Sequence, residues 1–337
     1  KDPMAEKILP RLSEEEMQTY IETELTEASK ILPANYKKGD KNYGRFTAGL
    51  AHTVLLKLYM LTKQWDKAEA EGRELMKPEY GFELVPEYKD IFTLANEKNP
   101  EIIWACQCAK GYQEHKWQPH VLPNDYNFTP YLDKMTKWNG YKISWSFMHT
   151  FDPEDKRLLT IASEYTSKDG VVHNEKNDSQ DPSAQLYLGA VPLKYEFDPD
   201  CTGEDSQIDW IIYRYADVLT LTAEAIVRNK NAVTKEAVDL LNEVRTRSLP
   251  GKGYSLQDLN SVDKFLKAVL DERGWELYFE GNRRQDLIRY GIFVETIKKK
   301  AQSMGKQTLV DENRHRFPIP QSIIDEGKGV IEQNPGY

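Results

Sequence analysis

The chain has 337 residues, and its 45 lysines and arginines against 54 aspartates and glutamates leave a net charge of −9. This length suits two domains of ordinary size or one large helical domain, and the acidic balance argues against nucleic acid and anionic membranes as main partners. No uninterrupted apolar run approaches the ~18 residues that a membrane-spanning helix needs.

The N-terminal part of the sequence predicts helices. Ser13 and Glu16 form a capping box, and an apolar stripe follows them at helical spacing. Apolar residues recur at the same spacing over 45–62 and over 65–76, which predicts two helices joined by a short break. Such a pair resembles a tetratricopeptide unit. We therefore expect a helical hairpin region over residues 13–77.

A second helical region lies far downstream. Residues 215–228 and 234–247 form another predicted pair, and the two pairs are not in tandem, so this is not a plain repeat array. A strong helix is predicted from Val262 to Phe279, and after a break at a glycine a further helix covers 283–290. We expect this second helical region to span residues 213–300.

Residues 79–212 have a different character. Proline, glycine, asparagine and aspartate accumulate there, and nine aromatic residues fall within 111–149. Long irregular stretches are usually functional or disordered, and this aromatic density argues against disorder. With an extended C-terminal tail over 301–337, the sequence predicts an all-α fold of tetratricopeptide-like helical pairs, an α/α superhelix, with a loop-rich and aromatic-rich insert and minor β structure.

The densest charge pattern lies in residues 271–287. Arg273, Glu276 and Glu280 are three or four residues apart, which places them on one helical stripe, and further charged residues follow the break. Each carboxylate has an arginine nearby that would keep it ionised, which disfavours a role as a general acid. We therefore expect a structural ion network of Arg273, Glu276, Glu280, Arg283 and Asp286.

The same segment resembles the most diagnostic motif of the SusD/RagB family of outer-membrane nutrient-binding lipoproteins, E-R-x-x-E-L-x-F-E-G-x-R-x-x-D-L-x-R. The matching residues are Glu272, Arg273, Glu276, Leu277, Phe279, Glu280, Gly281, Arg283, Asp286, Leu287 and Arg289. Other blocks of the chain are similar to the family's remaining motifs, and they occur in the same order. They are Phe151–Arg157, Arg214–Leu219 with Leu241–Arg247, and Phe317–Pro320 with Gln333–Tyr337.

This resemblance implies one SusD-like domain over residues 1–337 that lacks the N-terminal third of the family's proteins. It also implies a position on the outer face of the outer membrane of Bacteroidetes-type cells, held by a lipid anchor absent from this chain. Members of the family bind oligosaccharides or polysaccharides and pass them to a SusC-like TonB-dependent transporter. They perform no chemistry of their own, so the resemblance implies neither an enzyme nor a cofactor.

The aromatic residues of the insert are interpreted in those terms. A sugar's C–H face packs on an aromatic ring, while neighbouring polar side chains bind the hydroxyls. Ordinary core packing is the alternative for any one of these rings. The stacking candidates are Trp117, Tyr126, Trp138, Tyr141 and Trp145, and the polar candidates are Asn139 and Asp125.

Three alternative functions stay open at this stage. The protein could belong to a peptide importer, or it could be an interaction scaffold that binds peptide segments in a helical groove. A helical glycoside hydrolase is the third alternative, and among the aromatic residues only Asp125 and Asp133 could supply its two carboxylates.

Other motifs give weaker indications. Residues 198–209 partly match a calcium-binding loop through Asp198, Asp200 and Asp209, but a solvated acidic loop is the favoured interpretation and no metal site is predicted. His115 and His120 are interpreted as solvent-facing or internally paired, because a zinc site needs more ligands. The pairing state of Cys106, Cys108 and Cys201 stays open.

Overall fold

The computed structural model describes residues 9–126 and 134–337. In these residues it contains 12 α-helices and three two-stranded sheets, with 45% helix and 9% strand. The predicted all-α fold with minor β structure is therefore confirmed. No helix in the described ranges combines the length and the apolarity needed to span a membrane.

The first helical region contains α1 (Glu14–Ile31), α2 (Ala48–Thr62) and α3 (Trp65–Leu75). The predicted capping box starts α1: the Ser13 hydroxyl accepts from the Glu16 N–H at 3.2 Å, and the Glu16 carboxylate accepts from the Ser13 N–H at 2.8 Å. Both bonds satisfy N–H groups that the first helical turn leaves unpaired. Helices α2 and α3 pack against each other, as the predicted hairpin requires.

The second helical region is built around one buried helix. Its elements are α7 (Tyr215–Lys230), α8 (Lys235–Ser248), α9 (Val262–Glu276), α10 (Arg283–Arg289) and α11 (Phe293–Ser303). Every residue of α7 from Tyr215 to Val227 is buried, because the helix packs against α2, α3, α8 and α9. At the α3–α7 contact, a Cβ added to Gly72 would lie 2.0 Å from the Thr222 hydroxyl oxygen, so the close approach requires glycine. The two hairpins are therefore neighbours in space although they are distant in sequence.

One short sheet joins the early part of the insert to its C-terminal end. Strand β1 (Ile102–Cys106) pairs antiparallel with β6 (Trp210–Arg214), and this register places Cys106 opposite Trp210. Between them lie α4 (Trp117–Val121), α5 (Trp145–Met148), α6 (Glu175–Asp178), and the strand pairs β2 (Ile161–Ala162) with β5 (Val191–Pro192) and β3 (Glu164–Thr166) with β4 (Val172–Asn174). The insert has its own core, in which aromatic side chains are prominent.

Two differences from the prediction concern the end of α9 and the C-terminal tail. Helix α9 ends at Glu276, three residues before the predicted end, and the chain then turns with positive φ values at Phe279 (57°) and Gly281 (78°). Glu280 therefore lies in this turn and does not share a helical stripe with Glu276. The tail is not extended throughout, because it contains the short helix α12 (Gln321–Glu326).

The carboxylate of Glu276 is the centre of a buried ion network. It accepts from Arg214 at 2.5 Å, from Arg157 at 3.1 Å and from Arg247. The side chains of Glu276, Arg157 and Arg214 have no solvent exposure. Burial alone would raise the pKa of Glu276, but the three guanidinium groups more than offset this effect and hold that pKa well below its usual range.

The other predicted members have partners that sequence spacing does not indicate. Glu280 pairs with Arg214 at 2.7 Å and with Lys194 at 2.6 Å. Arg273 pairs with Asp217 at 2.7 Å and with Asp286 at 3.0 Å. Arg283 differs from the expectation, since its guanidinium donates to the carbonyl oxygen of Leu270 at 2.7 Å. The partners thus come from the insert, from β6, and from helices α7 and α8.

Replacing Glu276 by glutamine should lower the free energy of unfolding by about 3–5 kcal/mol, because it leaves three guanidinium groups without their shared carboxylate in a buried site. Equilibrium denaturation in urea measures the change. Asp239→Asn is the matched control, since it removes one carboxylate from the exposed Lys235–Asp239 pair and should change the stability by less than ~1 kcal/mol. Equal effects of the two variants would contradict a structural role for the network.

Candidate functional site

A surface cleft of about 550 Å³ lies where the β1–β6 sheet meets α4. We call it the aromatic cleft. Five of its lining side chains are aromatic or imidazole rings that come from different parts of the insert. The lining residues are Cys106, Cys108, Gln113, Glu114, His115, Lys116, Trp117, His120, Tyr141 and Trp210.

A tight turn over residues 138–141 is fastened to α4 beside this cleft. The N–H groups of Gly140 and Tyr141 both donate to the carbonyl oxygen of His120, at 2.9 and 2.8 Å. The N–H of Trp138 donates to the carbonyl oxygen of Pro119 within α4, and the N–H of Asn139 donates to that of Leu122, which directly follows α4. These four main-chain bonds fix the position of the turn on the insert.

The turn requires two particular backbone positions. Asn139 has a φ of 52°, in the left-handed region that asparagine tolerates better than most residues. A Cβ added to Gly140 would lie 2.8 Å from the carbonyl oxygen of His120, so glycine alone fits at this position without displacement.

Three rings, of which two are exposed, are in contact at the turn, and we call them the platform. The imidazole of His120 lies 4.7 Å from the ring of Trp138 and 5.1 Å from the ring of Tyr141, measured between centroids. Trp138 is 39% exposed and Tyr141 is 52% exposed. Exposed aromatic faces beside a cleft can pack against an apolar ligand surface without a charge.

The inner wall of the aromatic cleft is a packed ring cluster. The Trp210 ring lies 5.6 Å from Trp117, 5.1 Å from His115 and 4.9 Å from Tyr195, on which it stacks. Burial lowers the pKa of His115, and its Nδ1 accepts from the N–H of Trp117 at 3.2 Å, so the ring is neutral near pH 7. The wall therefore offers aromatic and uncharged polar groups.

Three of the five predicted stacking residues do not present an open ring face. Trp117 is 7% exposed and Tyr126 is 2% exposed, and both belong to the core of the insert. Trp145 is half-buried and donates its indole N–H to the carbonyl oxygen of Leu186 at 3.1 Å. The physical reason is that the insert needs aromatic side chains for its own core, so high aromatic density does not separate core rings from exposed ones.

Neither of the two predicted polar contacts is among the lining residues of the aromatic cleft. The carboxylate of Asp125 accepts from the Tyr165 hydroxyl at 2.6 Å and lies 3.0 Å from Nε2 of His173. The side-chain oxygen of Asn139 is buried without a hydrogen-bond partner. Asp133, the other carboxylate of the hydrolase alternative, lies outside the described residues.

Two residues of the site were missed by the sequence interpretation. Trp210 reaches the cleft only through the pairing of β6 with β1, which no local spacing indicates. The sequence does not distinguish His120 from an ordinary histidine, yet it contacts both exposed rings of the platform. The register of the turn on α4 places it there, and this register is a tertiary feature.

The carboxylates of Asp198 and Asp209, in the acidic loop 198–209, accept hydrogen bonds from neighbouring main-chain N–H groups. Asp198 is buried and accepts from the N–H groups of Asp200 and Gln207 at 2.9 and 2.8 Å. Asp209 accepts from the N–H of Cys108 at 2.8 Å through one oxygen, and its other oxygen is buried without a partner. Across the part of the chain that the structure describes, no three histidine, cysteine or acidic side chains are placed to hold a metal ion.

The three cysteines carry free thiols. Burial raises the pKa of the Cys108 thiol, on the cleft wall, to about 11. Because the thiolate is the reactive form, this thiol is a poor nucleophile at neutral pH.

Glu97 and Asp209 form a carboxylate pair behind the cleft wall. The N–H of Asp209 donates to the Glu97 carboxylate at 2.8 Å. Burial raises the pKa of both carboxyl groups, and the negative charge of Asp209 adds to this effect on Glu97, whose pKa is about 7. The folded protein therefore keeps a proton on Glu97 at pH values where the unfolded chain has lost it.

This pair predicts a pH-dependent stability. The stabilising contribution of the Glu97 proton is present below the carboxyl's ordinary pKa of about 4.3 and is lost as the pH rises through about 7. Urea denaturation between pH 4 and 8 should show this loss in the unmodified protein and a flatter profile in Glu97→Gln. Glu332→Gln, at an exposed position, is the control and should keep the original slope. An unchanged slope in Glu97→Gln would assign the pH dependence to other groups.

The turn gives a second prediction. Gly140→Ala places a methyl group against the His120 carbonyl, and the resulting displacement should lower the free energy of unfolding by about 1–3 kcal/mol. It should also change the intrinsic tryptophan fluorescence, since Trp138 lies in the displaced turn. Asn139→Gly is the control, because glycine adopts its positive φ without strain, and it should preserve the spectrum. Similar spectra for both variants and the unmodified protein would show that the turn tolerates a Cβ.

Several known proteins are similar to this chain in sequence. Residues 195–337 match the SusD family model. SusD-like protein P25 of Formosa agariphila is 25% identical over 373 residues, which cover 98% of this chain and 66% of that protein. The starch-binding protein SusD of Bacteroides thetaiotaomicron is 25% identical over 385 residues, which cover 96% of this chain and 65% of that protein. The chain thus spans just under two thirds of the length of these curated relatives.

Solved structures share the fold. Surface glycan-binding protein A from Bacteroides thetaiotaomicron, solved in complex with laminarihexaose, superimposes with a TM-score of 0.73 at 20% identity, covering 96% of this chain and 72% of that one. The motif blocks between Phe151 and Tyr337 occur in the family's order. Together, the family model over residues 195–337, the relatives, the shared fold and these motifs support an assignment to the SusD/RagB family.

Proposed function

We propose that this protein binds an oligosaccharide or polysaccharide on the platform and in the aromatic cleft. The observation that carries the proposal is the pair of exposed rings, Trp138 and Tyr141, held by His120 at the edge of a cleft of about 550 Å³. Sugar rings present apolar C–H faces that pack on aromatic rings, and a few polar groups then fix the orientation of the ligand.

The relatives support this proposal. One is named a starch-binding protein, and a structural neighbour was solved with laminarihexaose bound. Binding without catalysis is the favoured mode, because Glu114 is the one carboxylate among the ten lining residues of the cleft. A glycoside hydrolase uses a pair of carboxyl groups across the scissile bond.

The similarity to the SusD/RagB family supports a place for this binding step. We propose that the protein acts at the outer face of the cell outer membrane, lipid-anchored in its full-length form, and delivers the glycan to a SusC-like TonB-dependent transporter. Capture from solution on an open platform fits such a role, since a ligand that is to be handed on has to be released again.

Calorimetric titration with starch, laminarin, levan, mucin and plant polysaccharides tests the proposal. Trp138→Ala and Tyr141→Ala should each weaken binding at least about tenfold, which corresponds to ~1.4 kcal/mol. The control is Tyr187→Ala, an exposed tyrosine of the same insert outside the cleft lining, and it should leave affinity unchanged.

Reducing-end release is followed in the same samples. Binding without release supports a capture protein, whereas release would make the protein an enzyme. Binding of peptides but of no glycan would favour a peptide importer. Unchanged glycan affinity in both ring variants, with the fold intact, would place the binding site elsewhere.

A further inference from the structure

The negative charge of the chain is concentrated in the insert. Residues 79–212 contain 23 aspartates and glutamates against 12 lysines and arginines, a net charge of −11, whereas the whole chain carries −9. The helical remainder is therefore slightly basic. The platform and the aromatic cleft both belong to the acidic part.

The insert also lacks an available arginine. Its single arginine is Arg157, whose side chain has no solvent exposure and pairs with Asp155, Glu272 and Glu276. Arginine is the side chain best suited to bind a carboxylate or sulfate through two parallel hydrogen bonds. The insert therefore has no arginine that could bind a carboxylate or sulfate in this way.

The cleft itself presents little free positive charge. Lys116, the one lysine among the lining residues, lies 2.5 Å from the carboxylate of Glu204. His115 is neutral near pH 7 because of its burial. Nearby, the ammonium group of Lys110 donates to the carbonyl oxygen of Asp200 at 3.0 Å.

The acidic loop 198–209 is joined directly to the cleft wall. Ser206 and His115 exchange two main-chain hydrogen bonds, at 3.0 and 2.8 Å, and Asp209 accepts from the N–H of Cys108. The negative charge of Asp198 acts on His115 of the cleft lining, where it partly opposes the lowering of the His115 pKa by burial. A ligand in the cleft would therefore meet a negative field.

Resting on the proposed function, we infer that this site selects uncharged glycans and discriminates against glycans that carry uronic acids or sulfate. An anionic sugar would approach a negatively charged insert, and its charged group would find neither an exposed arginine nor an unpaired lysine on the cleft lining. A neutral sugar needs only the exposed rings and uncharged hydrogen-bonding groups.

The test compares each neutral polysaccharide that binds with its C6-oxidised form, in which the primary alcohol of each sugar is a carboxylate. The two forms share linkage and ring shape and differ in charge. At 20 mM salt we expect the oxidised form to bind at least tenfold more weakly. At 0.5 M salt the difference should shrink, because screening shortens the reach of the field.

Charge variants link this difference to the acidic loop. Asp200→Asn with Asp205→Asn should strengthen binding of the oxidised form at 20 mM salt and leave binding of the neutral form unchanged. Asp239→Asn with Asp263→Asn removes two exposed charges from the helical region and should change neither affinity. Oxidised glycans that bind as tightly as neutral ones would overturn the inference and leave the proposed function standing. Failure of both forms to bind would overturn both.

Discussion

The buried carboxylate of Glu276 fixes the position of the insert relative to the helical regions. Its three arginine partners come from the insert (Arg157), the end of β6 (Arg214) and helix α8 (Arg247). A charge buried without partners is strongly unfavourable, so the fold is stable only when all of these elements meet at one point. The network therefore works as a positional constraint, whatever its net contribution to stability relative to an apolar core.

Strand β6 connects this ion network to the aromatic cleft. Arg214 is the last residue of β6, and Trp210, at the other end of the same strand, belongs to the cleft wall. Strand β6 also continues directly into α7, which pairs with α8 and packs against α2 and α3 of the first hairpin. The wall of the cleft is thus held by the most deeply buried part of the protein, while the platform on α4 is held by main-chain bonds within the insert.

Local signals in the sequence were sufficient for the helices and insufficient for the site. The capping box at Ser13 and the apolar periodicity predict the helices because these are interactions between near neighbours. The partners of Glu276 lie 62 and 119 residues away, at Arg214 and Arg157, so spacing along one helix could not reveal them. The exposure of the aromatic rings also could not be predicted from local sequence. Trp117 and Trp138 are the same residue type in the same insert, and only tertiary packing decides that one is buried and the other exposed.

In the turn that carries the platform, the groups that fix the backbone differ from the side chains that would contact a ligand. All four of its bonds to the α4 segment join main-chain atoms, and only Gly140 and the position with a positive φ restrict which residues can occupy it. The side chains at 138 and 141 contact the His120 ring but take no part in these four hydrogen bonds. Residues at these two positions can therefore be exchanged during evolution without rebuilding the insert, so that one scaffold can acquire new ligands through changes at the ring positions alone.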